Sequence, residues 1–226
     1  MTGTAFDLII CDCDGVLVDS EILASRIDAE ELQRRGFDDY PLSEMLSRFA
    51  GVSQRDIIAT VERESGRPIG ADFAQTVAKR IEAVMHAELR ALPDAARTLA
   101  TMPQLKCVAS SSAPSKLDLA LRLSGLKPLF APNIFSAVEV ERGKPAPDLF
   151  LHAARRMGRL PERCCVIEDS VAGVTAAVAA GMTVIGFVGG AHCAPGHAER
   201  LTQIGAVAVV DHWKKLPEAM GAARVN

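Results

Sequence analysis

Short apolar runs rich in β-branched residues recur along this chain, and they constrain its fold more than any other feature. The clearest runs span residues 6–11, 105–109, 164–167, 182–188 and 207–210, with a shorter one at residues 134–136. Runs of this length and composition are typical of parallel strands that are buried on both faces of a sheet. Patterns of helical periodicity lie between the later runs, over residues 113–123, 147–157 and 171–180. The alternation predicts an α/β fold, with a doubly wound parallel sheet covered by helices on both faces.

The segment from about residue 19 to residue 91 breaks this alternation, because it shows helical periodicity and charge but no convincing strand. Turn residues at Gly36, Gly51, Gly66 and Gly70 divide it into about four helices. We therefore predict a catalytic core (residues 1–17 and 89–226) and a small α-helical cap (residues 18–88) inserted after the first strand. Ligands of open α/β sheets bind beyond the carboxyl ends of the strands, so the cap is expected to act as a lid there.

The charge balance and the cysteine pattern exclude several classes of protein. Lys and Arg total 25 and Asp and Glu total 28, so the net charge of −3 offers no broad basic face for nucleic acid or acidic membranes. The six cysteines, two of them adjacent at Cys164 and Cys165, show no disulfide framework of the kind that small secreted domains use. No basic stretch followed by an apolar signal core opens the sequence. We therefore expect a cytoplasmic protein, a monomer or weak homodimer, with reduced and mostly buried cysteines.

Two carboxylates stand where the chain leaves the first predicted strand. Asp12 and Asp14 are separated by one residue and followed by Gly15, so both side chains can face one pocket. An Asp-x-Asp pair alone is weak evidence, since an acidic turn can be only a solvated loop or a helix N-cap.

Three further polar motifs follow later strands. Ser110 to Ser112 come after the second run, Lys144 lies in a Gly-Lys-Pro-Ala-Pro-Asp loop at residues 143–148, and Glu168 and Asp169 follow the run at 164–167. Each has an ordinary explanation when taken alone: the serines and the acidic pair could only cap the helices that follow, and Lys144 could be an exposed loop lysine. Together, at the ends of successive strands, they indicate a single site.

These four motifs, in this order, resemble those of the haloacid dehalogenase superfamily. The resemblance is strongest to its phosphatases and β-phosphoglucomutase-like members, which carry a helical cap after the first motif, and it covers nearly the whole chain. It implies a Rossmann-like core and a Mg²⁺-dependent enzyme that transfers the phosphoryl group of a small phosphorylated metabolite.

The resemblance also implies a role for each motif residue. Asp12 would be the nucleophile that forms an aspartyl-phosphate, and Asp14 would protonate the leaving group and then activate water. That double role requires the pKa of Asp14 to lie above that of Asp12, an order that a metal held by the carboxylate of Asp12 but only by the carbonyl of Asp14 would provide. Mg²⁺ would be held by oxygen ligands, and Ser110, Ser111 and Lys144 would bind the phosphoryl oxygens. The implied metal ligands are Asp12, the backbone carbonyl of Asp14, Asp169 and, directly or through water, Glu168.

Two positions separate the reactions of the superfamily. A halide leaving group needs no proton, so Asp14 together with the Glu168-Asp169 pair favours phosphoryl transfer over dehalogenation. β-Phosphoglucomutases carry a histidine at the cap hinge where this chain has Ala24, which favours a hydrolase. A sugar phosphate mutase remains an alternative, because residues 49–56 and 79–80 resemble mutase segments that contact the sugar. A non-catalytic binding module of the same fold is a distant alternative, since all four motifs are intact.

The cap is expected to determine substrate specificity, because the core motifs engage only the phosphoryl group that all candidate substrates share. The expected substrate is a sugar, polyol or sugar-acid phosphate. Each candidate residue could equally be a solvated charge or a turn. The candidates are Glu21, Arg48, Gly51, Ser53 and Lys79.

Two histidines near the C-terminus could suggest a second metal site. His192 and His197 lie close to Cys193 in a segment rich in glycine and alanine. No acidic or histidine partner completes a plausible set of ligands there. We therefore interpret this segment as a surface loop.

Overall fold

Six parallel strands form one sheet in the computed structural model, which describes residues 6–49 and 52–223. The strands are β1 (Leu8–Cys11), β2 (Leu105–Ser110), β3 (Ile134–Ser136), β4 (Cys164–Glu168), β5 (Thr183–Phe187) and β6 (Ala208–Val210). They lie in the order β3-β2-β1-β4-β5-β6. All six predicted strands are present, with ends that shift by at most two residues. The α/β fold with a doubly wound parallel sheet is confirmed.

Among the described residues of the segment 18–88, which follows β1, the chain forms four helices, as the sequence predicts. They are α1 (Ser20–Arg34), α2 (Leu42–Phe49), α3 (Gln54–Ser65) and α4 (Phe73–Glu88), called the cap helices below. Ser53 caps α3 by accepting a hydrogen bond from the Asp56 amide, and Gly66 ends this helix at a φ of 69°. The cap helices enclose an apolar core of their own, which includes Leu32, Met45 and Phe73.

Seven further helices cover the sheet. They are α5 (Ala95–Thr101), α6 (Pro114–Leu123), α7 (Lys127–Phe130), α8 (Asp148–Arg156), α9 (Val171–Ala179), α10 (His197–Ile204) and α11 (Leu216–Ala222). No described helix is both long and apolar enough to cross a membrane.

Alternate side chains of each strand enter two separate apolar cores, one on each face of the sheet. Ile9 of β1 packs in the core that includes Leu117 of α6, and Ile10 packs in the core that includes Leu149 of α8. Leu23 and Met85 of the cap helices belong to the first of these cores. The cap helices therefore rest on the same face of the sheet as α6.

All six cysteines are free, as predicted, and only Cys193 is as much as partly exposed. Burial raises the pKa of the thiols of Cys11, Cys13, Cys107 and Cys165. Thiols of this kind stay protonated and unreactive, so they pack as small apolar groups.

Candidate active site

Three strand ends bring the predicted motifs to one edge of the sheet. Cys11, the last residue of β1, pairs with Val108 of β2 and with Ile167 of β4. Asp12 follows directly and donates its amide hydrogen to the Ile167 carbonyl at 3.0 Å. Ser110 and Glu168, which end the two neighbouring strands, are thereby placed on either side of Asp12. The site lies at the carboxyl edge of the sheet, where open α/β folds bind ligands.

Lys144 is the buried cation of this site. Its ammonium donates hydrogen bonds to Asp12 Oδ1 at 2.6 Å, to Glu168 Oε1 at 2.7 Å and to the Ala109 carbonyl at 3.0 Å. Its side chain is only 3% exposed. Burial alone would lower the pKa of Lys144, but the two carboxylates outweigh it and raise the pKa above the usual value. Lys144 is therefore a fixed positive charge and not an exposed loop lysine.

Three buried carboxylates cluster at the end of β1, and two of them contact Lys144. Asp12, Glu168 and Asp169 each place an oxygen within 4.8 Å of the others. Burial raises the pKa of Asp12 well above its ordinary value, and the neighbouring acids add to the effect while Lys144 opposes it. The three buried acids outnumber the basic groups in contact with them, which are Lys144 and His192. Such a group of hard oxygen donors fits a divalent cation.

Two glycines let these carboxylates approach the backbone. A Cβ atom at Gly15, whose φ is +78°, would lie 2.0 Å from Asp169 Oδ2. A Cβ atom at Gly173, in the first turn of α9, would lie 1.8 Å from Glu168 Oε1. Both positions exclude any other residue unless a carboxylate moves, so they fix where the acidic side chains lie.

Asp14 has different surroundings from Asp12. Its carboxylate accepts hydrogen bonds from Ser20 Oγ and, at 2.5 Å, from Ser112 Oγ, and it lies 3.1 Å from Lys116 Nζ. Burial raises the pKa of Asp14, but the Lys116 ammonium and the two hydroxyls outweigh burial and hold the pKa below its ordinary value. The prediction that the pKa of Asp14 lies above that of Asp12 concerns the site with Mg²⁺ bound and stays a prediction, and Lys116, which was not foreseen, works against it.

His192 corrects the interpretation of its segment as a surface loop. The residue is 7% exposed, and its Nε2 lies 2.8 Å from Asp169 Oδ2. Burial lowers the pKa of His192, but the hydrogen bond to Asp169 outweighs burial and raises the pKa above its usual value. His197 Nε2 contacts the Asp169 backbone oxygen. Both histidines therefore help to hold Asp169 in position.

A cavity of about 510 Å³ lies between the cap helices and α6. Lys116, which contacts Asp14, lines the cavity on the core side. Glu21 and Ala24 line it on the cap side. The cavity is therefore the space next to Asp14 in which a leaving group could lie.

A comparison with protein families identifies the family of the chain. The profile of the haloacid dehalogenase-like hydrolase family matches residues 6–181 of the chain. The chain belongs to this family.

The relatives of this hydrolase include phosphatases. It is 32% identical over 213 residues to 6-phosphogluconate phosphatase of Escherichia coli (strain K12), covering 94% of this chain and 93% of the relative. It is also 32% identical over 195 residues to hexitol phosphatase A of the same organism, covering 85% and 86% of the two chains. A solved structure of a conserved haloacid dehalogenase-like protein from Agrobacterium tumefaciens matches with a TM-score of 0.90 at 42% identity, over 96% of this chain and 98% of that one. The hydrolase is a phosphatase.

The motif residues predicted from the sequence come together in this hydrolase. Asp12, Lys144, Glu168 and Asp169 form one buried cluster. Ser110 is 1% exposed at the end of β2, and its hydroxyl accepts a hydrogen bond from the Ser112 amide at 3.1 Å. Ser111, by contrast, is exposed.

The structure places the cap residues predicted to bind substrate in different surroundings. Only Glu21 lines the cavity among the candidates that the structure describes. Arg48 pairs with Glu44 and Glu64 on the cap surface. Ser53 caps α3, and Lys79 is exposed on α4. Gly51 lies outside the described residues.

Four residues of the site were not identified from the sequence: Ser20, Ser112, Lys116 and His192. Ser112 belongs to the serine motif, and Lys116 lies four residues later in the first turn of α6. This spacing at the start of a helix is a signal that could have indicated Lys116. The spacing of Ser20 and His192 contains no comparable signal.

Proposed function

We propose that the protein is a Mg²⁺-dependent phosphatase that hydrolyses a small sugar, polyol or sugar-acid phosphate through an aspartyl-phosphate at Asp12. One observation carries the proposal: buried Lys144 contacts both Asp12 and Glu168. A transferring phosphoryl group carries negative charge that repels a carboxylate nucleophile, so a cation fixed beside that nucleophile is the first requirement of the reaction. The similarity to 6-phosphogluconate phosphatase and to hexitol phosphatase A supports the substrate class.

Mg²⁺ fits the donors of this site. The carboxylates of Asp12 and Asp169 and the Asp14 backbone carbonyl would hold it. Both oxygens of Glu168 already accept hydrogen bonds, from Lys144 and Ser170, so Glu168 would act directly or through water. Bound Mg²⁺ would neutralise the phosphoryl oxygens and favour the ionised form of Asp12.

The reaction proceeds in two displacements at phosphorus. An Asp12 carboxylate oxygen attacks the phosphorus, the bond to the leaving oxygen breaks, and Asp14 gives that oxygen a proton. Asp14 then takes a proton from water as the water oxygen attacks the same phosphorus, which releases inorganic phosphate and restores Asp12. Ser110, Ser111 and Lys144 hold the phosphoryl oxygens in both steps.

Asp14 must be protonated before the first step, and Lys116 opposes this while the two are paired. Lys116 also lines the cavity in which the leaving group would lie. A leaving group that engages the Lys116 ammonium weakens the ion pair and raises the pKa of Asp14. Proton uptake by Asp14 is thereby coupled to substrate binding.

The cap would act as the lid and specificity element of the enzyme. The core would comprise residues 1–17 and 89–226, and the cap residues 18–88. The position of α1 to α4 between β1 and β2 supports these boundaries. Ala24 lines the cavity where a mutase would carry histidine, and Ser20 and Lys116 hold Asp14 instead, which supports hydrolysis over the mutase alternative.

A panel of phosphorylated metabolites tests the proposal. The purified protein is expected to release inorganic phosphate from sugar or polyol phosphates with Mg²⁺ present and to stop when the metal is chelated. No release from any ester on a broad panel contradicts the phosphatase proposal. Conversion of a sugar 1-phosphate to its 6-phosphate without free phosphate, in the presence of a bisphosphate primer, would establish the mutase instead.

A further inference from the structure

The cavity beneath the cap is lined by three acidic residues and one basic residue. Glu21, Asp28 and Glu82 line it, and Lys116 is the one cation among the lining residues that the structure describes. That lysine is already paired with Asp14. The rest of the wall is largely apolar and includes Met45, Phe49, Val52, Ile57, Ile81 and Met85. A ligand therefore meets three acidic side chains and a single lysine, which it can engage only in competition with Asp14.

Asp28 is the buried member of this acidic group. It lies in α1, is 6% exposed, and lines the cavity. Within residues 6–49 and 52–223 its carboxylate has one hydrogen bond, accepted by Oδ1 from Gln54 Nε2 at 3.3 Å. Burial raises the pKa of Asp28 to about 6, so the group is mainly ionised at neutral pH. Among the described residues, none donates a hydrogen bond to its second oxygen, and Asp28 itself lines the cavity.

Glu31 of the same helix shows what a structural carboxylate looks like here. It is also 6% exposed, yet it accepts hydrogen bonds from Arg35 at 2.9 Å and from Arg80 at 3.1 Å. No arginine or lysine of the described residues pairs with Asp28, and the residue lies too far inside α1 to cap it. A buried carboxylate without a cation destabilises a fold, so a structural role does not explain Asp28.

The other polar groups on the cavity wall can form hydrogen bonds with the hydroxyl groups of a ligand. Ser25, Gln54 and Ser115 line the cavity, and each offers both a hydrogen-bond donor and an acceptor. Asp28, when ionised, offers acceptors alone. A polyhydroxy leaving group can give hydrogen to Asp28 while it exchanges hydrogen bonds with the neutral groups. A carboxylate at the same place would face Asp28 without a free cation to offset the repulsion.

We propose that Asp28, oriented by Gln54, is the specificity residue that accepts hydrogen bonds from leaving-group hydroxyls, so that uncharged sugar or polyol phosphates are preferred over sugar-acid phosphates. The inference rests on the proposed phosphatase function and narrows its substrate class. Asp28 acts on binding and touches the leaving group, not the phosphorus.

A matched pair of esters tests the assignment. Glucitol 6-phosphate and 6-phosphogluconate have the same chain length, but one ends in a hydroxymethyl group and the other in a carboxylate. The wild-type enzyme is expected to prefer glucitol 6-phosphate by about tenfold or more in kcat/KM. Asp28→Asn should reduce this preference by about tenfold, mainly through KM. Glu30→Gln, on the exposed side of the same helix, is the matched control and should leave the preference unchanged.

The possible failures are distinguishable. Acetyl phosphate reports the core chemistry, because its small leaving group carries no polyhydroxy chain. No phosphate release by the wild-type enzyme from acetyl phosphate or from either ester contradicts the phosphatase function itself. Turnover combined with a wild-type preference for 6-phosphogluconate, or with the same preference in Asp28→Asn as in wild type, overturns the Asp28 assignment alone. Thermal unfolding of each variant confirms that the chain is folded.

Discussion

Lys116 Nζ lies 3.1 Å from Asp14 Oδ1, and the ion pair stands on the boundary between the motif residues and the cap cavity. Asp12 and Asp14 are chemically identical and two positions apart, yet their pKa values move in opposite directions. Burial raises the pKa of Asp12, because Lys144 does not offset it. Burial also raises the pKa of Asp14, but Lys116 and two hydroxyls outweigh burial and lower that pKa. The surroundings, and not the residue type, therefore separate the pKa values of the two aspartates.

Replacing Lys116 should change the pH dependence of the reaction. In Lys116→Met the ion pair is lost, so the pKa of Asp14 rises and Asp14 keeps its proton to higher pH. With an alkyl phosphate, whose leaving group needs a proton, the alkaline limb of the kcat/KM profile should move to higher pH. Lys127→Met, which removes an exposed lysine paired with Asp118, is the control. An alkaline limb that stays in place would show that Lys116 does not govern Asp14.

Asp12→Asn should abolish the chemical step without unfolding the protein. The amide cannot attack phosphorus, so kcat is expected to fall by about a thousandfold or more. Intact-protein mass spectrometry after rapid quenching should detect a phosphorylated wild-type chain and an unmodified variant. Substantial turnover by the variant would reject Asp12 as the nucleophile.

Lys144→Met should destabilise the fold as well as the reaction. The substitution leaves Asp12 and Glu168 buried without their cation, and removing one partner of a buried ion pair costs about 3 kcal/mol or more. Urea unfolding measures the change in the free energy of unfolding. Lys127→Met should change it little, because that pair is exposed to solvent. Equal stability of the two variants would contradict the described role of Lys144.

Mg²⁺ should stabilise the folded protein through the acidic cluster. A ligand that binds only the native state adds about 2.7 kcal/mol to the free energy of unfolding at about 100 times its Kd. Mg²⁺ should therefore raise the Tm of the wild-type protein and have a much smaller effect on Asp169→Asn, which lacks one charged ligand. The Tm is measured without substrate, so it reports binding independently of turnover. The same Mg²⁺ effect on both proteins would place the metal elsewhere.

Asp28 should make the protein less stable as pH rises. Its pKa is about 6 in the folded state against an ordinary value of 3.8, so the folded state binds more protons between these pH values. The contribution of Asp28 to the free energy of unfolding is therefore greatest below about pH 4. It falls by about 3 kcal/mol in total as the pH rises through about 6.

Asp28→Asn should remove this pH dependence. The difference in the free energy of unfolding between variant and wild type isolates Asp28 from Glu21, Glu82 and Lys116, which line the same cavity. The variant is expected to gain stability relative to wild type between pH 5 and pH 7.5, as measured by urea unfolding. An unchanged difference across this range would show that Asp28 is not a strained buried acid.

Local patterns in the sequence determined most of the fold. Every strand was predicted within two residues, because runs such as that of β4 are apolar along their whole length only if both faces of the sheet are covered. The four cap helices followed from the turn residues that separate them. Asp12, Lys144, Glu168 and Asp169 were also predicted, since strand ends of a parallel sheet meet at one edge.

Only the tertiary structure decided what surrounds these residues. Ser112 contacts Asp14 across 98 positions of sequence, and His192 reaches Asp169 from a segment that resembles a surface loop. Arg48, a candidate for substrate binding, instead pairs with Glu44 and Glu64. Side-chain contacts between distant segments depend on packing, and residue spacing carries no record of them.

The two aspartates of the first motif show which properties are local and which depend on the tertiary structure. The sequence by itself determined that Asp12 and Asp14 stand together at the end of β1, because a strand and the turn that follows it are local structures. Which lysine each of the two contacts was decided by the folding of α6 and of the loop of Lys144 against β1. Charge and burial set the pKa of a carboxylate, and both are properties of the folded chain.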